Sequence, residues 1–220
     1  MRRTLLIFAL ILTTTVSLSL GQPATTQAAD LASSANIYTY ENPIKLSDLA
    51  LTAVDGRRVT LSQFKGKVVL LHFWSIKCPA CRFEEPFLDA LHKAYGKSGL
   101  VILGVNLVDG PVEVTNFASK NSCPFLPLHG SATGLRLKVV QMGSMRTSFV
   151  INPSKEAVLE VPGLPTTYVL DCRGEAVAHS VGPARWNTSI AQAFIQGLIG
   201  DRAKCSRAAP TKRQAHSRLW

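Results

Sequence analysis

The sequence predicts an α/β fold, a central mixed sheet flanked by helices, on three observations. Val68 to Trp74 is an apolar run broken only by His72, without the alternation of a half-wet strand, which marks a strand covered on both faces. Phe83, Phe87, Leu91 and Tyr95 then recur at four-residue spacing, the stripe of an amphipathic helix, with Pro86 expected to bend it. Leu100 to Val108 is a second buried run, so strand, helix and strand fall within about forty residues, the length of a βαβ unit. The chain has 220 residues, of which 46% are hydrophobic and 17% charged, enough apolar side chain for one sizeable core and against wholesale disorder.

Taken in order, the chain opens with Arg2 and Arg3, the unbroken apolar run Leu5 to Leu12, a weaker extension from Thr13 to Leu20, and small residues around Thr26-Gln27-Ala28. That order is an export signature, so residues 1–28 are expected to be a signal peptide or an N-terminal membrane anchor. Leu5 to Leu20 is 16 residues, short of the roughly 20 of a transmembrane helix. Residues 29–43 read as a leader and 44–200 as the domain. Within it, Asp55-Gly56 turns a hairpin between Leu49-Ala50-Leu51 and Val59-Thr60-Leu61. Pro111 to Lys120 is expected to be a helix. Thr166 to Leu170 and Glu175 to Ala178 form a hairpin about Asp171-Cys172-Arg173-Gly174, and Trp186 to Ile199 a last helix. Thr147-Ser148-Phe149-Val150-Ile151-Asn152 reappears as Thr166-Thr167-Tyr168-Val169-Leu170-Asp171, which points to an inserted extra β-hairpin over about 144–162.

The net charge of +10 is unevenly spread: residues 1–28 carry +2, residues 201–220 carry +5, and the body between carries only +3. A basic groove for nucleic acid is therefore not expected. Residues 201–220 read as a basic, polar tail without order of its own.

The chemistry is expected at Cys78-Pro79-Ala80-Cys81. Two cysteines three apart, after a buried strand and opening a helix, can close a disulfide within one turn. Cys78 lies at the helix N-terminus, where unsatisfied N–H groups and the positive dipole end favour a thiolate. Such settings lower a cysteine pKa from about 8.5 to roughly 3.5–7.5. Cys78 would attack a substrate disulfide and Cys81 would resolve the mixed disulfide. A structural disulfide and half of a metal site are the competing readings. Cys123, Cys172 and Cys205 lack the spacing of a zinc site, so no metal is expected. Cys123 and Cys172 can pair as a structural disulfide, leaving Cys205 free in the tail, though spacing does not decide the connectivity.

Gly66-Lys67-Val68-Val69-Leu70-Leu71-His72-Phe73-Trp74, followed by Cys78-Pro79-Ala80-Cys81-Arg82-Phe83-Glu84-Glu85-Pro86, resembles the TlpA/ResA-like branch of the thioredoxin superfamily, which includes the CcmG/DsbE group of cytochrome c maturation. Gly163-Leu164-Pro165-Thr166-Thr167 extends the resemblance downstream. It implies a thioredoxin-like fold, thiol–disulfide exchange without a cofactor, and location in the periplasm or on the outer face of the cytoplasmic membrane. The partners it implies are exported proteins with disulfides or thiols, and a membrane thiol donor of DsbD/CcdA type. Pro165 matches the family's cis-proline beside the CxxC, and Glu84 a carboxylate that can shuttle protons for Cys81 or else stand as a solvated helix charge. Two departures bear on the couple. Lys77 stands where the family commonly has Trp; a cation there can favour the Cys78 thiolate, or the side chain can be an exposed, solvated lysine, the commoner outcome. His72 takes the strand position where thioredoxins carry a buried acid; it can modulate Cys81 or serve as a hydrogen-bonded core histidine.

The leading expectation is an exported disulfide reductase, with apocytochrome c among its candidate substrates. Two other classes compete. A thiol peroxidase would use Ser75 three residues before Cys78, but Leu71 stands where the peroxiredoxin pattern requires Pro. A copper chaperone would use Cys78 and Cys81 as soft ligands, but the spacing is one residue short of that pattern and His129 and His179 lack a supporting motif.

Overall fold

The computed structural model describes residues 34–46, 49–121, 123, 125–129, 149–151, 159–201 and 205. Residues 1–33, on which the expected export segment and the start of the expected leader fall, lie outside the described residues, as do 144–148 and 152–158 of the expected insertion.

An eight-stranded mixed sheet organises the domain. Its strands are β1 (Tyr38–Lys45), β2 (Ala50–Ala53), β3 (Arg58–Thr60), β4 (Val68–Trp74), β5 (Leu100–Asn106), β6 (Leu126–His129), β9 (Thr166–Leu170) and β10 (Glu175–Val181). They lie side by side in the order β1-β10-β9-β4-β5-β6-β2-β3. β4, β5 and β6 are parallel, and the other pairings are antiparallel. Two further strands, β7 (Phe149–Ile151) and β8 (Leu159–Val161), pair with each other as a separate antiparallel hairpin. This is the extra hairpin expected from the internal repeat.

The helices are α1 (Pro79–Tyr95), α2 (Pro111–Lys120) and α3 (Ser189–Gly200). All seven residues of β4 are buried because the sheet has a core on each side. Val68, Leu70 and Trp74 point into one cluster with Leu88 and Leu91 of α1, Val114 of α2, and Ala191 and Ile195 of α3. Val69, Leu71 and Phe73 point into the other, with Leu51, Leu61, Leu159 and Val161. A strand lined on both faces has no polar face to show, hence an apolar run broken only by the buried His72. Burying each of these leucines, valines and phenylalanines contributes about 1.5–3 kcal/mol.

Three expectations are corrected. β1 begins at Tyr38 and pairs with β10, so the sheet starts inside the stretch read as a leader. Trp186 precedes α3, whose N-cap is Thr188, its hydroxyl accepting the Ala191 amide. The buried face of α1 is Cys81, Glu84, Leu88 and Leu91, whereas Phe83 is 62% exposed. At about 100° per residue a strict four-residue repeat drifts by about 40° each step, so Phe83, Phe87, Leu91 and Tyr95 cannot all face one core. The helix runs continuously through Pro86.

The cysteine pairing also differs from the one considered. Cys172 bonds to Cys205, with Cα atoms 6.1 Å apart, and Cys123 is a free thiol. The reason is topological. Cys172 lies in the β9–β10 turn beside the end of α3, where Val177, Leu198 and Asp201 line one cavity with both cysteines. Cys123 follows α2 and packs on the helix-covered core. The tail is thus tied to the domain at Cys205, and its residues 202–204 and 206–220 lie outside the described residues. Replacing Cys205 by Ser should lower stability by about 2–4 kcal/mol in the oxidised protein, read by urea unfolding. The same variant should leave the Cys78–Cys81 couple unchanged, because Cys172 sits at the opposite end of the sheet.

Candidate active site

The site is assembled where β4 ends. Ser75, Ile76 and Lys77 form a turn, closed by a bond from the Cys78 amide to the Ser75 carbonyl at 3.3 Å. Cys78 is the N-cap of α1 with extended backbone, φ −84° and ψ 109°, and Pro79 takes the first helical position, where a missing N–H costs nothing. The Cys78 sulfur accepts the Cys81 amide at 3.1 Å, one of the N–H groups that a helix start leaves without an internal partner. Cys78 and Cys81 are joined as a disulfide, their Cα atoms 5.2 Å apart. The two sulfurs differ in access: Cys78 is half-buried, while Cys81 is 3% exposed and belongs to the core. Lys77 is exposed beside them.

Glu84 lies one helical turn beyond Cys81 on the buried face, with no exposed surface. The reading of it as a solvated helix charge is therefore excluded. Its Oε1 accepts the indole N–H of Trp186, itself fully buried, and its Oε2 is buried without a hydrogen-bond partner. Burial pushes the Glu84 carboxyl up to about 7, against the opposing hydrogen bonds from Trp186 and the Ala184 backbone. A carboxyl titrating there can hold or release a proton at neutral pH.

His72 is 2% exposed on β4, and its Nδ1 lies 2.9 Å from the Thr167 hydroxyl. Burial pushes its pKa down to about 3, so the ring is neutral. This is the geometry of a hydrogen-bonded core histidine. The Leu164–Pro165 peptide is cis, and Pro165 is buried. Thr166 pairs with Phe73 across β9 and β4, which brings Pro165 to the end of the sheet where Cys78 begins α1. The Pro165 carbonyl accepts the Gly182 amide at 2.8 Å.

Two groups of residues escape sequence reasoning. Trp186 reads as an ordinary helix residue, and nothing local ties it to a glutamate 102 positions away. Asn106 and Asp109 follow a buried strand and look like loop polar residues. Both are buried, and Asp109 accepts the Ile76 amide at 2.7 Å. Their signal is an Asn-x-x-Asp placed where a parallel neighbour of the CxxC strand ends. On the outer side of α1, the Arg82 guanidinium lies 4.5 Å over the Phe117 ring and pairs with Glu85 at 2.9 Å. Burial, helped by the Glu85 charge and opposed by Arg82, pushes the free Cys123 thiol up to about 11. Among the described residues, no three His, Cys, Asp or Glu side chains gather where they could hold a metal ion.

A buried strand delivering a CxxC to a helix N-terminus, with a cis-proline at the same end of the sheet, defines a thioredoxin-like thiol–disulfide oxidoreductase. The comparisons agree. The family model described as AhpC/TSA family matches residues 44–178, and the chain belongs to that family, within the ResA-like branch of the thioredoxin superfamily. The thiol-disulfide oxidoreductase ResA of Geobacillus kaustophilus is 31% identical over 119 residues, covering 54% of this chain and 68% of that protein. ResA of Bacillus subtilis is 30% identical over 119 residues, covering 54% and 66%. Two crystal structures share the fold. A thiol:disulfide interchange protein of the thioredoxin family from Chlorobium tepidum is 19% identical, with a TM-score of 0.54 over 73% of this chain and 99% of its own. A secreted thiol-disulfide isomerase from Corynebacterium glutamicum is 20% identical, with a TM-score of 0.54 over 75% and 92%.

The raised Glu84 pKa carries a stability signature. A carboxyl at 4.5 when unfolded and about 7 when folded adds stability that is fully present below about pH 4.5 and lost as pH rises through about 7. Relative to a Glu84→Gln variant, the protein should lose roughly 3 kcal/mol across that window, read by urea unfolding at a series of pH values. A difference between the two proteins that stays constant with pH would contradict the assignment.

Proposed function

We propose that this oxidoreductase works outside the cytoplasm as a reductant, opening disulfides of exported proteins, with apocytochrome c a candidate substrate. The observation that carries the reading is the asymmetry of the pair: Cys78 faces solvent at the helix N-terminus, and Cys81 lies in the core one turn from a buried carboxyl. An outer thiolate stabilised by helix N–H groups is built to attack, and an inner thiol beside a proton acceptor is built to resolve. The ResA relatives and the secreted structural neighbour support the reaction class and an exported setting.

The reaction takes two displacements. The Cys78 thiolate attacks one sulfur of the substrate disulfide; a Cys78–substrate disulfide forms, and the other substrate sulfur leaves as a thiolate and takes a proton. Cys81 passes its proton to the Glu84 carboxylate and attacks the Cys78 sulfur. The Cys78–Cys81 disulfide forms, and the second substrate sulfur leaves and is protonated. Two electrons have moved from the dithiol to the substrate, and a dithiol donor in the membrane, of DsbD/CcdA type, returns them with two protons. The backbone at Pro165 would pair with an extended substrate segment, and the Lys77 ammonium would favour the Cys78 thiolate. His72 would set the packing behind the couple rather than move a proton. Residues 1–28 would supply export or anchoring.

Cys81→Ser should accumulate a mixed disulfide at Cys78 with a model protein disulfide, seen by mass spectrometry. Cys78→Ser should form none and lose at least about 100-fold in turnover. Trapping at Cys81 instead of Cys78 would reverse the assignment of roles.

A further inference from the structure

The turn that presents Cys78 is held from outside its own strand and helix. The Asp109 carboxylate, 6% exposed, accepts the Ile76 amide at 2.7 Å and the Asn106 side-chain amide at 2.9 Å, both through Oδ2. Asn106 is fully buried at the end of β5, and its Oδ1 accepts the Val108 amide at 3.0 Å and the Asp109 amide at 2.8 Å. That pair of bonds curls the loop after β5 and aims the carboxylate at the neighbouring turn. β5 runs parallel to β4 with Asn106 opposite Trp74, so the two strand ends are in register. Ile76 is the second residue of the turn whose last residue is Cys78. Two peptide units separate the Ile76 nitrogen from the Cys78 Cα, which puts the carboxylate within about 12 Å of it. The carboxylate itself is buried with Ser75 and Asn106, while Lys77, Pro79 and Val108 nearby are exposed, so water screens part of its field.

We propose that Asp109 is a positioning residue for the Cys78–Cys81 couple: its carboxylate fixes the turn that carries Cys78, and its negative charge disfavours the Cys78 thiolate, making the couple more reducing. A group bonded to two N–H donors is constrained in place, so its charge acts from a fixed point. The effect opposes that of the helix N-terminus. It sets a ceiling on how far Cys78 can be acidified, and a stabilised thiolate would favour the dithiol and weaken the protein as a reductant. Other titratable or charged groups on the elements around the turn include Lys77 within it, Cys81, Arg82, Glu84 and Glu85 on α1, His72 on β4, Cys123 after α2, and Glu113 in the first turn of α2, whose Oε2 accepts the Gly110 amide at 3.0 Å next to Asp109. A neutral substitution at Asp109 leaves all of them in place.

The inference rests on the proposed exchange reaction at Cys78 and Cys81, and the test separates the two. Asp109→Asn keeps an oxygen that can accept the Ile76 amide and removes the charge; Asp109→Ser removes the charge and, with a hydroxyl one bond shorter, the acceptor's reach to that amide as well. In each folded variant, the Cys78 thiol pKa is read from the pH dependence of iodoacetamide alkylation, and the equilibrium with dithiothreitol gives the potential. The expected result is a lower thiol pKa and a roughly threefold to tenfold shift of that equilibrium toward the dithiol, equivalent to about 15–30 mV less reducing. A thiol pKa and an equilibrium that stay within twofold of the parent in either folded variant overturn the proposal, even if thermal stability falls. Absence of any two-electron couple in the parent overturns the exchange reaction as well.

Discussion

Cys78 sits where a fully buried strand stops and a helix starts, and the chemistry of the protein depends on that placement. A strand cannot supply free N–H donors, because its ladder uses them. The first turn of a helix supplies them without another side chain. The Cys78 sulfur takes one of these donors, from Cys81. Its helix keeps that position because Leu88 and Leu91 bury α1 in the cluster it shares with Leu70 of β4 and Leu100 and Ile102 of β5. Packing in the core therefore fixes the electrostatics at the surface. The cost of moving the strand end relative to the helix is the loss of buried leucine and tryptophan contacts, several kcal/mol in all.

Behind the sulfur, the interior sorts its polar groups by what burial does to them. Histidine and glutamate are both neutralised by a dry environment, in opposite directions on the pH scale. His72 is driven to the neutral ring and tied to Thr167, so it stays uncharged at neutral pH. Glu84 is driven toward the neutral acid, but the Trp186 indole holds it back, so it titrates near neutrality. One buried group is silent and the other is poised, by the same physical effect with different partners. The poised carboxyl lies on the same buried face of α1 as Cys81, in a place that water does not reach.

Much of this fold is legible in the sequence because its signals are local. β4, β5 and α2 announce themselves by uninterrupted apolar runs or by a Pro-initiated helix, and the CxxC by its place between strand and helix. What is illegible depends on contacts between distant residues. The buried face of α1 is set by where β4 and α3 lie, so Glu84 faces inward and Phe83 outward against a plain reading of the aromatic spacing. Trp186 meets Glu84, Cys205 meets Cys172, and Asp109 meets Ile76 only after the sheet has brought their elements together. Tyr38 to Lys45 carries no apolar alternation because an edge strand, exposed along most of its length, has little need of one.

The central claim is that Cys78 and Cys81 form a reducing couple. Its most direct test is the equilibrium reduction potential of the parent protein against glutathione and dithiothreitol at neutral pH, with the thiol count read by mass spectrometry. A single two-electron couple confined to Cys78 and Cys81 is expected at or below about −250 mV, near the thioredoxin value of about −270 mV. A couple near about −120 mV, the range of strong protein oxidants, would contradict it.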